Sequence, residues 1–133
     1  MCAKVLIVED EFLVALDLEE LLTRAGHEVV GVVPDRASLD RLRTPPEVAL
    51  VDVNLRDGPS GPLIAEELSR GHGTRIVYVT ASHSQIAVPA PTTVGVVRKP
   101  FCEEEILLAV AQAVKVSGGP GPARMGGDSA PGL

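Results

Sequence analysis

The chain has 133 residues, 45% of them hydrophobic, with 18 acidic against 12 basic side chains and a formal net charge of -6. That length suits one ordinary globular domain and leaves no room for a second. The acidic balance argues against a surface built to neutralise nucleic-acid phosphates or anionic lipid, which needs clustered Lys and Arg. Only three aromatics occur, Phe12, Tyr78 and Phe101, so the core must rest on Val, Leu, Ile and Ala, as in a parallel sheet covered by helices.

The start, MCAKVLIVEDE, holds an apolar run of four residues that ends in acids. That is too short for a secretory signal or a membrane span, so the chain is expected in the cytoplasm. Five apolar runs rich in β-branched residues read as buried strands: Val5 to Val8, Val29 to Val33, Val48 to Val51, Ile76 to Val79 and Val94 to Val97. Between the first two, Glu11 to Ala25 predicts a helix with Leu18, Leu21, Leu22 and Ala25 on one face and Gly26 to end it. Asp35 is placed to cap a short second helix that stops before Pro45 and Pro46. After the third run, DGPSGP is turn chemistry around Asp57 and Gly58, and Leu63, Ile64, Glu67 and Leu68 carry a third helix toward Gly71.

Pro89 and Pro91 interrupt Ser82 to Thr93, leaving space only for a fourth helix that is short or mobile. The last helix begins near Cys102, where Glu103, Glu104 and Glu105 favour the positive end of its dipole, and runs through Ile106, Leu107, Val110 and Val114. Leu108 and Ala111 lie off that stripe and mark either a partner surface or partial burial. Beyond Val116, SGGPGPARMGGDSAPGL has nine Gly or Pro in seventeen residues and almost nothing to bury. Residues 1–116 therefore form the expected domain and 117–133 a disordered tail. Cys2 and Cys102 show no CxxC or Cys/His spacing, which gives no support to a disulfide frame or a zinc site. The regular alternation of strand and helix implies βαβ units, hence an α/β domain on a parallel sheet.

Four of the five runs end in a chemically suggestive residue: Glu9 and Asp10 after the first, Asp52 after the third, Thr80 after the fourth and Lys99 after the fifth. Each alone reads as a solvated residue at a strand end. In an open parallel sheet, however, ligands bind outside the carboxyl ends of the strands, where neighbouring strands bring such residues together. Two like charges 4 Å apart at an effective dielectric near 20 repel by roughly 4 kcal/mol, so three carboxylates there need a cation. Lys99 offers one charge, and a hard divalent ion that prefers oxygen ligands offers two. Phosphoryl transfer to a carboxylate is the chemistry that uses such a set.

The ordered series VLIVEDE, LVDVNLRDG, VYVTAS and VVRKPF resembles the receiver domains of two-component response regulators over about residues 3 to 116. It is closest to a single-domain, chemotaxis-regulator-like form. The resemblance implies a flavodoxin-like, doubly wound five-stranded parallel sheet of order 2-1-3-4-5 with helices on both faces. It implies Asp52 as the phosphoacceptor, Thr80 as the hydroxyl that bonds a phosphoryl oxygen, and Lys99 as the ammonium beside it. Glu9, Asp10, Asp52 and the backbone carbonyl of Asn54 would form the site for Mg²⁺ or Mn²⁺, with Asp10 the direct ligand and Glu9 acting through water. Lys99-Pro100 would be a cis peptide.

Ala81 would leave a phosphoryl group open to a donor or to water, or is simply a small turn residue. Asn54 and Ser82 stand at positions that tune hydrolysis in the family. The implied donor is a sensor histidine kinase or a histidine phosphotransfer protein, docking beside Phe12 and Leu13. The implied output is a downstream protein, with no direct nucleic acid and no membrane. Val96 departs from the family, which commonly has an aromatic there, and points to a switch read out as ordering or displacement of residues 81 to 93.

His27, His72 and His83 carry ordinary surface roles in this reading, with His83 nearest the pocket. Because no output domain follows, promoter control by this chain alone is not expected. Two other readings stay open. A receiver-like interaction module that is never phosphorylated would leave the complete site set unexplained. An aspartyl-phosphate phosphohydrolase would carry an Asp where Asn54 stands and its acidic pair last in the chain. Apart from self-directed phosphoryl transfer and autodephosphorylation, the chain is expected to be a switch and not an enzyme.

Overall fold

The computed structural model describes residues 2–86 and 88–117; the expected tail lies outside them apart from its first residue. Five strands, β1 (Lys4–Val8), β2 (Glu28–Val33), β3 (Val48–Val51), β4 (Arg75–Thr80) and β5 (Thr93–Arg98), pair in parallel in the order 2-1-3-4-5. Three α-helices, α1 (Phe12–Arg24), α2 (Gly61–His72) and α3 (Glu103–Ser117), cover the sheet. The residue patterns anticipate the α/β parallel sheet, and the resemblance implies its doubly wound, flavodoxin-like order.

Alternation along the strands sorts the core onto two faces. Val5, Ile7, Leu50, Val77 and Val79 pack against Leu18, Leu21 and Leu22 of α1 and Ile106, Val110 and Ala113 of α3. Leu6, Val8, Ala49, Val51, Ile76 and Tyr78 face the other way, toward Ile64, Ala65 and Leu68 of α2. Complete burial of each such Leu or Ile contributes about 2 kcal/mol, which is why the central strands read as unbroken apolar runs. The edge strands β2 and β5 are only partly covered.

Several local expectations are corrected. Ala25 is exposed, because α1 ends at Arg24 and Gly26 turns the chain away with φ 94°. The second helix is a 3₁₀ turn over Ala37–Arg41, although Asp35 does receive the expected bonds from the Ser38 N–H and hydroxyl. Leu63 is 65% exposed, one position off the stripe made by Ile64, Ala65 and Leu68. α2 passes through Gly71 and stops at Gly73, whose φ of 68° lets its N–H reach back to Ser69. The fourth helix is short, a 3₁₀ turn over His83–Gln85. Leu107 and Val114 are half-buried, and Leu108 lies exposed beside the stripe as expected. Among the described residues no helix is long and apolar enough to cross a membrane.

Candidate functional site

The carboxyl ends of β1, β3, β4 and β5 lie side by side because the chain winds outward from β1 in both directions. Pairing fixes the register: the Asp52 N–H donates to Val8 O at 2.9 Å, and the Lys99 N–H donates to Thr80 O at 3.2 Å. Glu9, Asp52 and Thr80 are buried, at 2%, 8% and 1% exposure. The Lys99 ammonium donates to Glu9 Oε1 at 2.7 Å and to Asp52 Oδ2 at 2.9 Å. Above them opens a cavity of about 290 Å³ lined by Asp10, Glu11, Asp52, Asn54, Thr80, Ala81, Ser82 and Lys99.

One carboxylate oxygen each from Glu9, Asp10 and Asp52 lies within 4.8 Å of the others, a donor set that fits a hard divalent cation. One ammonium among three carboxylates leaves two negative charges in excess. Burial works to lower the Lys99 pKa, but its hydrogen bonds to Glu9 and Asp52 prevail and hold the ammonium above its ordinary value. Burial pushes the Glu9 carboxyl up, against the lowering by Lys99 and by the Glu11 N–H. The two shifts have different causes, burial for Glu9 and the carboxylate partners for Lys99.

The remaining residues that the sequence singles out are placed as follows. Thr80 Oγ1 accepts from the Ser82 N–H at 3.0 Å. The exposed Asn54 side chain donates through Nδ2 to Gln85 Oε1 at 2.8 Å and to Ser82 Oγ at 3.2 Å. Lys99-Pro100 is cis, and Val96 lies 46% exposed on the edge strand β5. His83 meets Arg98 at 2.8 Å outside the cavity. His27 is half-buried and accepts the Ala3 N–H, which is more than the surface role expected of it. Cys2 and Cys102 are free and exposed.

Three residues escaped the sequence reading. Glu11 adds a third carboxylate to Lys99, at 3.2 Å; its place directly after Glu9 and Asp10 was the available signal. Gly61 lies so close beneath Asp52 that a Cβ there would meet Asp52 O at 1.9 Å and Val53 Cα at 2.8 Å, a contact hidden in what reads as turn chemistry. Gln85 has no local signal at all.

A parallel 2-1-3-4-5 sheet with an acidic cluster and a lysine at its strand ends is the architecture of a signalling receiver. The chain belongs to the response regulator receiver domain family, whose model matches residues 5–111. It is 30% identical over 118 residues to the phyllosphere-induced regulator PhyR of Methylorubrum extorquens, covering 86% of this chain and 44% of that protein. It is 31% identical over 118 residues to the transcriptional regulatory protein PdtaR of Mycobacterium tuberculosis, covering 84% and 56%. The chain thus spans about half the length of the curated relatives it matches. The solution structure of the receiver domain of Erythrobacter litoralis PhyR agrees with a TM-score of 0.81 at 28% identity, covering 92% and 97%. A mutant of the anti-anti-sigma factor PhyR from Bartonella quintana gives 0.78 at 27%, covering 89% and 50%. The family is one of response-regulator receivers, and the curated relatives PhyR and PdtaR are regulators.

Proposed function

We propose that Asp52 accepts a phosphoryl group from a phosphohistidine on a sensor histidine kinase or a histidine phosphotransfer protein. The modified chain then changes its hold on a downstream protein, or passes the group on, in the cytoplasm. The observation that carries this reading is the Lys99 ammonium bonded to both Asp52 and Glu9 on the floor of an open cavity. Lys99 fixes Asp52 Oδ2, and Oδ1 has no hydrogen-bond partner among the described residues, so it is free to attack. As its bond to phosphorus forms, the phosphorus–nitrogen bond breaks and the electron pair returns to the donor's imidazole. The Lys99 ammonium and the Thr80 hydroxyl meet the phosphoryl oxygens.

Asp10, Asp52 and the backbone carbonyl of Asn54 would hold Mg²⁺ or Mn²⁺, with Glu9 acting through water because Lys99 and the Glu11 N–H already engage its oxygens. When bound, the ion neutralises charge on the phosphoryl oxygens. The new group adds about -1.5 to -2 charge. Drawing Thr80 toward it moves Ser82 as well, since the Ser82 N–H is bonded to that hydroxyl. Exposed Val88 of the segment that follows Ser82, Val96 of β5 and Leu108 of α3 supply the surface read by the downstream protein. One relative is named as an anti-anti-sigma factor, and a protein target suits an acidic chain better than DNA does.

Intact-mass analysis after incubation with a small acyl-phosphate donor tests the reading. The native chain should gain one phosphoryl group only with Mg²⁺, and Asp52→Asn none. Partner binding untouched by Asp52→Asn would instead favour the interaction module that is never phosphorylated.

A further inference from the structure

We infer that Gln85 is a positioning residue for loss of the phosphoryl group, acting through the side chain of Asn54. The inference rests on Asp52 being the acceptor. Loss means that water adds to phosphorus and the bond from phosphorus to the Asp52 oxygen breaks. Inorganic phosphate leaves, the carboxylate is restored, and a proton goes to solvent.

The Asn54 amide has two N–H donors and one acceptor oxygen. Both donors face the 3₁₀ turn at His83–Gln85, one on Gln85 Oε1 at 2.8 Å and one on Ser82 Oγ at 3.2 Å. Asn54 also lines the cavity above Asp52. With both donors spent, the only group it has left for an occupant of that cavity is its oxygen. An acceptor repels phosphoryl oxygens and binds the O–H of water, so an amide held this way selects and orients water beside the acyl phosphate. Ser82 is a poor keeper of that orientation, because a hydroxyl both donates and accepts and would tolerate a flipped amide. Gln85 makes the shorter contact, and with Oε1 turned to Asn54 it holds the amide in this sense; the carboxylate of Gln85→Glu, which can only accept, would hold it there permanently. Free of Gln85, the amide can turn its N–H groups to the phosphoryl oxygens and stabilise the modified state.

The experiment follows decay of phosphoryl mass on the full chain after the acyl-phosphate donor is removed. Gln85 is exposed, so its variants should fold, which circular dichroism checks. Gln85→Leu should decay about fivefold more slowly, the rate equivalent of one neutral hydrogen bond. Gln85→Glu retains the acceptor and should decay within about twofold of the native rate. In an Asn54→Leu background, Gln85→Leu should add nothing. Equal decay in Gln85→Leu and native chains, or an undiminished Gln85 effect without Asn54, overturns the inference and leaves Asp52 as acceptor intact. A native chain that never gains phosphoryl mass overturns both.

Discussion

The two crossovers without an α-helix among their described residues, 34–47 between β2 and β3 and 81–92 between β4 and β5, are fastened differently. The first is held by charge. Asp35 joins Ser38 and Arg56, while Arg36 joins Asp40, Glu67 and, through its N–H, Asp57. The second hangs mostly on neutral groups: Ser82 on Thr80, Asn54 on Ser82 and Gln85, and Thr92 on Ser69, with His83 against Arg98. Exposed ion pairs contribute little, about 0 to 1 kcal/mol each, so strength is not the main contrast. What differs is where the ties end. Those of the first crossover end on one another, on α2 and on Arg56 and Asp57 of the loop between β3 and α2, none of which lines the cavity above Asp52; those at the start of the second end on Asn54 and Thr80, which do line it. A change at Asp52 thus has a direct path through Asn54 and Thr80 into the second crossover, whereas among the described residues the first has no tie to a side chain that lines the cavity.

The largest expected effect comes from cutting the root of that convergence. Lys99→Met leaves Glu9 and Asp52 buried without their ammonium, which should lower the metal-free unfolding free energy by about 3 kcal/mol and abolish phosphoryl uptake. Urea titration with chelator present checks this, and an unchanged midpoint would contradict the shared ion pair. Gly61→Ala comes next, because its Cβ would strike the Asp52 backbone. A loss of about 2 kcal/mol with slowed uptake is expected, while Gly95→Ala, with open space around it, should stay within about 0.5 kcal/mol.

Tyr78→Phe sharpens the contrast from beneath the second crossover, where the buried Tyr78 hydroxyl lies beside the Ala90 backbone and the Thr93 side chain. Removing it should lower stability by no more than about 1 kcal/mol, read from the same titration. The smallest effect belongs to the first crossover. Hydrogen bonds from the Ser38 hydroxyl and N–H, then from Arg56, hold the Asp35 carboxyl at about 2, below its ordinary 3.8. A depressed carboxylate pKa stabilises above the unfolded value and loses that contribution as pH falls through the folded one. Native protein should thus lose stability between pH 3.8 and about 2, and Asp35→Asn should flatten that slope in acid unfolding curves.

Much of this was readable from the residues. Strands buried on both faces must be apolar throughout, so β1, β3 and β4 announced themselves, and the residues just past their ends supplied the site. Helix ends were less legible, since Gly71 and Gly73 can equally take a left-handed turn and only packing chose the second. Leu63 misled because the start of α2 is set by Gly61 against the acceptor backbone, which rotates Ile64 and Leu68 inward and leaves Leu63 outside. The partnership of Gln85 with Asn54 spans 31 residues and depends on how two loops meet, which no local pattern encodes.

Amide exchange with and without a beryllofluoride analogue of the phosphoryl group, in Mg²⁺, compares the two crossovers directly. Altered protection across residues 81–92 with residues 35–46 unchanged is the expected result. Equal change in both, or none in either, would contradict a site whose ties single out one crossover.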